Sequence, residues 1–369
     1  MIKIAYIIST LENKGPVNVL FNTIKYIDRN FIIPVIVTLS PESRISRYNE
    51  FKDLGIEIIQ MNQSRIQGMF FGVSKLKDIL NKLKPDLIQA NCFRSTIITG
   101  LFIKKYRKIV VIHNFPHEDY LMKFGKIKGY MMQYLIHFCL KRFDNRISVS
   151  ESLKYKFYHK YRINSIAVRN GIDTEKFKSL KTNKSEIRRE LKIAVQEKVF
   201  IYLDALIKIK NPETAIDGFL AAFQGSNLLL VVGGGKFLYE LKVKYGEFNN
   251  IRFIGVTEEP YKYLKASDYY ISSSLSESFH LAVVEAIYSG LYVIISDIDA
   301  HREILSLDNS LGKLFKPENV NELKNILTGL NNNQNDPEKC RALVNRNLSA
   351  EIMSKNYQDI YFQIIKGEQ

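Results

Sequence analysis

The chain has 369 residues, 46% of them hydrophobic, which suits about two domains with substantial cores. Its three distant cysteines (Cys92, Cys139 and Cys340) exclude a disulfide framework or a cysteine metal cluster. The net charge of +15 is unevenly distributed along the chain. Residues 1–200 contain 36 basic and 17 acidic side chains, whereas residues 201–369 contain 17 basic and 21 acidic ones. The excess of positive charge in the first half favours an anionic partner there.

The N-terminal stretch MIKIAYIIST is followed by the polar stretch LENKG, and it is too short for the apolar core of an export signal. No uncharged run reaches the roughly 18 residues that a membrane span needs. Because unpaired cysteines are typical of reducing compartments, we expect a cytoplasmic protein.

Short apolar runs rich in Ile, Val and Tyr alternate with amphipathic stretches along the chain. Helices are predicted at Val17–Ile27, Val73–Lys82 and Glu213–Phe223. This alternation is typical of doubly wound parallel sheets, with about five strands in each half. The predicted strands are Ile2–Ile8, Ile33–Thr38, Leu87–Ala90, Ile109–His113, Arg146–Val149, Val199–Leu203, Leu228–Val232, Ile251–Ile254, Tyr269–Ser272 and Tyr292–Ser296.

The charged, mostly polar stretch Ser179–Lys198 marks the predicted domain boundary. We expect an N-terminal Rossmann-like domain over residues 1–178 and a C-terminal one over residues 179–350. A closing helix over residues 351–369 should pack back toward the N-terminal domain. Ligands of open α/β sheets bind beyond the carboxyl ends of the strands, so residues that follow strands are the main candidates for a site.

Two candidates lie in the first half. Gly15 enters a predicted helix after the first strand, where free amides suit a phosphate, although an ordinary turn explains it too. His113 ends a predicted strand, but a lone histidine is more often structural than catalytic. In the second half, Lys208 and Lys210 follow a strand and could neutralise a leaving phosphate; solvated loop lysines are the alternative.

The run Gly233–Gly235 also follows a strand, but Leu238 occupies the sixth position of the G-x-G-x-x-G pattern. Binding of NAD is therefore not expected, and a tight turn is the better interpretation.

The stretch SESFHLAVVEA places Glu277 at a strand-to-helix corner and Glu285 seven residues further on, inside an apolar helix predicted from about Phe279 to Ser289. A capping role explains Glu277. Glu285 needs a hydrogen-bond partner, and the vicinal hydroxyls of a ribose would offer two donors to it. Free amides at the helix start suit a diphosphate.

A second helix, predicted over Leu121–Arg142, carries apolar residues at helical spacing between basic ones. It suits an anionic membrane surface, and a core-packing helix with a solvated face is the alternative. The apolar residues are Phe124, Ile127, Met131, Leu135 and Phe138, and the basic ones are Lys123, Lys126, Lys128, Lys141 and Arg142.

Taken in order, these motifs resemble the retaining glycosyltransferases of family 4. SESFHLAVVEAIYSG resembles the E-x7-E motif of that family, usually written EGFG and a following helix. Further segments that resemble the family are KPDLIQAN (Lys84–Asn91), VIHN (Val111–Asn114), ISVSESL (Ile147–Leu153), VRNGIDTEKF (Val168–Phe177) and IRFIGV (Ile251–Val256).

This resemblance implies an α/β GT-B fold, in which two Rossmann-like doubly wound domains face each other across a cleft. It implies catalytic roles for His113 near the donor sugar and the acceptor, for Glu277 on the sugar hydroxyls and for Lys210 on the leaving diphosphate. Glu285 would accept from the ribose hydroxyls, and the backbone near Val256 would frame the base. The other implied donor contacts are Gly15, Lys208, Phe279, His280 and Leu281.

The implied function is metal-independent hexose transfer with retained configuration, from a nucleotide sugar, expected to be UDP-linked, to a glycan or lipid-linked acceptor. Assembly of capsule, O-antigen or lipopolysaccharide is the expected context, with no cofactor and no nucleic acid. Peripheral contact at the inner face of an anionic membrane is a further expectation.

Three departures from the family pattern qualify these expectations. Ala205 stands where G-R-L-x-x-x-K has its arginine, and Lys208 could compensate for the lost cation. Ser278 and His280 replace the two glycines of EGFG, so the His280 side chain could tune sugar specificity. Asp297 and Asp299 are predicted to be strand-end residues, although they have the spacing of a metal-binding DxD.

The alternatives are a non-catalytic GT-B relative, an epimerase on the same plan and a basic nucleic-acid-binding protein. Donor binding without turnover would favour the first, and a salt-dependent shift of nucleic acid would favour the last.

Overall fold

The computed structural model describes residues 1–64, 72–178, 182–223, 225, 227–330 and 334–367. The chain divides into two compact units. The first comprises Met1–Gly171 together with Ala350–Gln369, and the second comprises Ile172–Ser349. No helix among the described residues is both long enough and apolar enough to cross a membrane.

The first unit contains a seven-stranded parallel sheet in the order β3-β2-β1-β4-β5-β6-β7. Its central strands are apolar on both faces because helices cover both sides. The strands are β1 (Ile2–Ile8), β2 (Ile32–Thr38), β3 (Glu57–Gln60), β4 (Leu87–Ala90), β5 (Arg107–Ile112), β6 (Asn145–Ser148) and β7 (Ile166–Ala167).

Among the residues that the structure describes, seven helices lie between these strands or follow them, and one more comes after the second unit. The predicted single helix Leu121–Arg142 is instead two helices, because Gly125 between them has a φ of 75°, outside the range of a right-handed helix. The helices are α1 (Gly15–Lys25), α2 (Tyr48–Asp53), α3 (Gly72–Leu83), α4 (Phe93–Phe102), α5 (Pro116–Phe124), α6 (Lys126–Leu140) and α7 (Glu151–Tyr161).

The second unit contains a six-stranded parallel sheet in the order β10-β9-β8-β11-β12-β13. Its core includes Phe200, Tyr269 and Phe219, whose rings pack together. The strands are β8 (Lys198–Leu203), β9 (Asn227–Val232), β10 (Ile251–Gly255), β11 (Tyr269–Ser272), β12 (Tyr292–Ser296) and β13 (Gly312–Phe315).

The helices of the second unit surround this sheet, and two 3₁₀ turns, Lys208–Lys210 and Asn309–Leu311, lie in its loops. The helices are α8 (Glu175–Lys178), α9 (Lys184–Glu190), α10 (Pro212–Ala222), α11 (Leu238–Tyr245), α12 (Pro260–Ala266), α13 (Leu281–Tyr288), α14 (Asp299–Leu305), α15 (Val320–Thr328) and α16 (Pro337–Asn347).

The strand count of about five in each half is wrong, because the sheets have seven and six strands. The sequence-based prediction missed β3, β7 and β13, all of which are sheet edges. They have two to four residues, and each includes partly or fully exposed positions, so they lack the continuous apolar run of a buried strand.

The unit boundaries differ from the predicted 178/179 and 350/351. Residues 172–178 belong to the second unit. The ring of Phe177 packs against Tyr261 and Tyr288, with ring centroids 4.4 and 4.8 Å apart. Of the predicted linker Ser179–Lys198 and the predicted loop Asn331–Lys339, residues 179–181 and 331–333 lie outside the described residues.

The closing helix, α17 (Ala350–Lys366), belongs to the first unit. The Tyr361 hydroxyl donates to Gln89 Oε1 on β4 at 2.7 Å, and the Ser354 hydroxyl donates to the Thr23 carbonyl on α1 at 2.7 Å. These bonds join completely buried side chains to the sheet and to α1, so the helix is part of the core of this unit.

Candidate functional site

A cluster of charged side chains lies where β8 and β11 end in the second unit. Asp204 directly follows β8, and Lys210 closes the 3₁₀ turn after it. Glu277 and His280 lie in the loop between β11 and α13. Because β8 and β11 are paired neighbours, their carboxyl ends bring the four side chains together.

Lys210 is the central cation of the cluster. Its Nζ lies 2.8 Å from Asp204 Oδ2 and also contacts Glu277 Oε1. Burial alone would lower the pKa of Lys210, but the two carboxylates outweigh it and raise that pKa above its ordinary value. The ammonium therefore stays charged throughout the neutral pH range.

Hydrogen bonds to neighbouring hydroxyls hold the cluster in position. The Tyr202 hydroxyl donates to the Lys210 carbonyl at 3.1 Å, and the Ser273 hydroxyl donates to the Asn211 carbonyl at 2.6 Å, which anchors the turn. The Ser274 hydroxyl donates to Glu277 Oε1 at 2.9 Å. The charged groups are thus fixed before any ligand binds.

His280 is the second basic group of the cluster, and it is buried. Its Nε2 lies 2.9 Å from Asp204 Oδ2, and its Nδ1 lies 2.8 Å from Nε2 of His301 on α14. Burial of Asp204 would raise its pKa, but Lys210 and His280 outweigh burial and hold that pKa below its usual range. Asp204 is therefore a carboxylate.

The glycine run Gly233–Gly235 supports the loop that carries Asp204. A Cβ on Gly233 would lie 1.9 Å from the Asp204 carbonyl oxygen, and one on Gly235 would lie 2.3 Å from that of Leu206. Both glycines have positive φ, at 134° and 155°. The run is therefore required by close backbone packing beside the site, as the tight-turn interpretation predicted.

Helix α13 begins at Leu281, two residues after the predicted Phe279, because the His280 backbone is extended. The first amides of the helix, at Leu281 and the two residues after it, have no partner within the helix. The side chain of His280, the residue before the helix, makes no capping hydrogen bond to it. The helix end is therefore suited to an anion.

Glu285 lies in the second turn of α13, between buried apolar residues. Burial raises its pKa from 4.5 to about 7, although the charge of Lys176 opposes this shift. A carboxylate at this position needs hydrogen-bond donors, which the vicinal hydroxyls of a ribose would provide.

Lys210, Glu277 and His280 thus meet in one cluster, and Leu281 and Glu285 lie on the adjoining helix. Phe279 is buried beside them. Lys208 is exposed, and it forms no ion pair with any other described residue. Val256 follows β10 and is 83% exposed.

Gly15 and His113 belong to the first unit. Gly15 is the first residue of α1, and a Cβ there would meet no other atom within 4 Å. His113 directly follows β5, and its Nε2 is buried without a hydrogen-bond partner among the described residues. Burial lowers its pKa to about 4, so His113 is neutral at physiological pH. The roles of both residues remain predictions.

The sequence-based prediction missed Asp204 and His301. Asp204 occupies the position of the glycine in the G-R-L-x-x-x-K pattern, and His280 occupies the position of a glycine in EGFG. Both replacements are visible in the sequence, but the contact between the two side chains is not. His301 lies in DIDAHREIL, where Asp297 and Asp299 each contact the Arg302 guanidinium at 2.5 Å.

Asp204, Glu277 and His280 also direct three ligand-type atoms to within 4.8 Å of one another. The Lys210 ammonium contacts both carboxylates, so it already supplies the positive charge there. The arrangement can hold a hydroxylated ligand against a fixed ammonium and the start of a helix.

Comparisons with known proteins agree with this architecture. Residues 183–347 match the family described as Glycosyl transferases group 1, and residues 14–176 match Glycosyltransferase Family 4. The chain is 26% identical over 301 residues to the alpha-monoglucosyldiacylglycerol synthase of Streptococcus pneumoniae, which covers 77% of this chain and 68% of that protein.

The chain is also 23% identical over 372 residues to the O-antigen biosynthesis glycosyltransferase WclY of Escherichia coli, covering 99% of both proteins. Among solved structures, Anabaena HepE in complex with UDP-glucose superimposes with a TM-score of 0.81 at 17% identity, over 98% of this chain and all of that one. The chain therefore belongs to the family 4 glycosyltransferases and has the GT-B fold.

Proposed function

We propose that this glycosyltransferase moves a hexose from a UDP-linked donor to a glycan or lipid-linked acceptor in the assembly of surface polysaccharide, with retained configuration and without a metal. The observation that carries the proposal is the partly buried ion pair of Lys210 and Glu277 in the loops beside the start of α13. The named relatives act in O-antigen and glycolipid synthesis, which supports the acceptor class.

In the proposed reaction, the bond between the anomeric carbon and the diphosphate breaks, and negative charge grows on the diphosphate. The Lys210 ammonium and the first amides of α13 stabilise that charge, and because they are already in place, they need little reorganisation during the reaction. Glu277 holds hydroxyls of the donor sugar, and Glu285 holds the ribose.

Retention follows if the acceptor hydroxyl attacks from the face that the diphosphate leaves. The departing phosphate oxygen then accepts the acceptor proton, so no protein base is required. His113, which is neutral because burial lowers its pKa to about 4, can hydrogen-bond to the sugar or the acceptor without adding a charge.

A panel of nucleotide sugars tests the donor. UDP-sugars are expected to raise the melting temperature and to release UDP with a lipid-linked acceptor, and EDTA should not change the rate. GDP-sugars serve as the matched comparison. An α-linked product from an α-linked donor, seen by NMR, would support retention. Binding without turnover on any acceptor would favour the non-catalytic alternative, which the missing arginine at Ala205 suggests.

We further propose that the first unit contacts an anionic membrane at its cytoplasmic face. Helices α5 and α6 expose large apolar side chains beside basic ones: Ile127 is 88% exposed, Tyr134 is 74% exposed and Met131 is 66% exposed. Such a surface buries its apolar side chains at the lipid boundary while the lysines meet lipid phosphates. The exposed basic residues nearby are Lys126, Lys128, Lys141 and Arg142.

Co-sedimentation with vesicles tests this surface. The wild type is expected to bind vesicles that contain phosphatidylglycerol at low salt and to bind neutral ones weakly. Replacing Ile127, Met131 and Tyr134 by serine should reduce binding about 10-fold or more. Replacing Tyr239 and Val243 by serine is the matched control, because these exposed apolar residues lie on α11 in the second unit. Equal binding by the two variants would refute the proposal.

A further inference from the structure

One ring nitrogen of His280 is buried in the charged cluster without a hydrogen bond. The side chain is 3% exposed, and its Nε2 has no hydrogen-bond partner among the described residues. Asp204 Oδ2 lies 2.9 Å from this nitrogen but is not placed to form a hydrogen bond with it. Because a buried polar atom without a partner is costly, a ligand at Nε2 would stabilise the site.

The other ring nitrogen of His280 is held by His301. Nδ1 of His301 lies 2.7 Å from the Ser296 carbonyl oxygen, which can only accept, so this Nδ1 carries a proton. Burial lowers the pKa of His301 well below its ordinary value, so the ring is neutral and its Nε2 accepts. Nδ1 of His280, 2.8 Å from that acceptor, must therefore donate. When His280 carries a single ring proton, its Nε2 presents a lone pair to the cluster.

This arrangement is typical of a metal-binding histidine. Such a histidine coordinates through one ring nitrogen and donates from the other to a fixed acceptor, which sets its tautomer and orientation. Two carboxylates complete the donor set, because ligand-type atoms of Asp204, Glu277 and His280 lie within 4.8 Å of one another. In a tetrahedral zinc site with bonds of about 2.0 Å, ligand atoms lie about 3.3 Å apart, so these atoms need to approach by about 1.5 Å at most.

The Lys210 ammonium occupies the position that a metal would take between the carboxylates. Its Nζ lies 2.8 Å from Asp204 Oδ2 and also contacts Glu277 Oε1, and the lysine side chain is 16% exposed. A divalent ion would bring two positive charges to the same carboxylates and would gain the imidazole nitrogen as a ligand. The ammonium lies on a flexible four-carbon chain that reaches solvent, so it can move aside. A metal ion and Lys210 therefore compete for one position.

We propose that Asp204, Glu277 and His280 bind a divalent transition-metal ion such as Zn²⁺, which displaces the Lys210 ammonium and thereby inhibits the enzyme. An imidazole with two carboxylates favours zinc or cobalt over Mg²⁺ and Ca²⁺, which prefer oxygen ligands. Asp204 and His280 replace glycines of the family motifs, so the site is a feature of this chain and not of the family pattern. The inhibition rests on the proposed function, whereas the metal binding does not.

Calorimetry with ZnCl₂ on full-length, metal-free protein tests the site without any nucleotide. One Zn²⁺ per chain is expected to bind, and an excess of MgCl₂ should not compete with it. His280→Gln should weaken this binding by more than about 10-fold, because an amide replaces the nitrogen ligand. His159→Gln, which removes an exposed histidine of the first unit, is the matched control and should bind like the wild type. Equal zinc affinity in His280→Gln and the wild type would overturn the proposal.

The competing lysine gives an effect of opposite sign. Lys210→Met is expected to tighten zinc binding about 10-fold, because the ammonium no longer opposes the metal. ZnCl₂ should also raise the melting temperature of this variant more than that of the wild type. Lys208→Met should leave zinc affinity unchanged. If Lys210→Met binds zinc no more tightly than the wild type, the ion does not displace the ammonium.

Variants of His301 test its role as the positioning residue for His280. His301→Phe removes the acceptor of the Nδ1 proton and should weaken zinc binding about 10- to 100-fold. His301→Gln should lose less, because its amide oxygen can still accept that proton. The visible spectrum of bound Co²⁺ should indicate a four-coordinate site in the wild type and in His301→Gln. Circular dichroism establishes that each variant folds. Equal zinc affinity in folded His301→Phe and the wild type would contradict the positioning role.

An assay of UDP release tests the inhibition. ZnCl₂ is expected to inhibit the wild type, and EDTA should restore its rate. His280→Gln should need at least about 10-fold more ZnCl₂ to lose half of its own metal-free rate, in line with its weaker binding. Zinc binding without inhibition would contradict the displacement of Lys210 from the diphosphate site. If no donor turns over even without zinc, the proposed function fails, and calorimetry still decides the metal site.

Discussion

Glu285→Gln is expected to weaken binding of a UDP-sugar about 10- to 100-fold, because a neutral amide replaces the carboxylate that we propose accepts from the ribose hydroxyls. The same change should stabilise the free protein at pH 8. Burial raises the pKa of Glu285 to about 7, so ionising it in the folded chain costs up to about 3 kcal/mol. Isothermal calorimetry and thermal unfolding measure the two effects.

The pKa of Glu285 determines how the stability difference between the Gln variant and the wild type changes with pH. The folded-state pKa of Glu285 lies above its ordinary value of 4.5, so its contribution to stability is fully present below about pH 4.5 and is lost as the pH rises through about 7. The Gln variant should not lose this stability, so it should be more stable than the wild type only above about pH 5. Glu240→Gln, on the exposed surface of α11, is the matched control. Unchanged donor affinity in Glu285→Gln would refute the ribose role.

Lys210→Met should lower kcat by about 100- to 1000-fold, the usual effect of removing one preorganised group that stabilises developing charge. It should also destabilise the fold, because Asp204 and Glu277 lose the ammonium that both contact. Release of UDP under saturating donor measures the first effect, and urea unfolding measures the second.

Two further variants make this result specific. Lys208→Met removes an exposed lysine two residues before Lys210. It should change kcat less than about 3-fold, because the charge of one exposed side chain is screened by water and contributes little. Lys210→Met with Glu277→Gln relieves the unpaired charge, so stability should recover while turnover stays low. A large loss in Lys208→Met would instead support the predicted compensation for Ala205.

Much of the fold could be predicted from the sequence, because buried parallel strands such as β1 and β8 are nearly continuous apolar runs. The edge strand β3 was missed because solvent reaches it and polar residues interrupt its pattern. The break at Gly125 was missed because apolar spacing continues across it, and only the backbone angle shows where one helix ends and the next begins.

The site was predicted less completely than the fold. Lys210 and Glu277 could be found because each follows a strand end, and strand order brings such ends together. Asp204 and His301 could not, because their importance lies in contacts with His280 across loops that are distant in sequence. Comparing the sequence with the family motifs shows that Asp204 and His280 replace two glycines. It does not show that these two side chains contact each other.

The division of the chain has a consequence for biosynthesis. The first unit needs α17, which follows the second unit along the chain, so residues 172–349 are all made before it. During translation the second unit can therefore mature first, while the first unit keeps the site for Tyr361 and Ser354 open. A nascent or C-terminally shortened chain would expose that apolar surface to chaperones and proteases, even though every residue of the charged cluster is present.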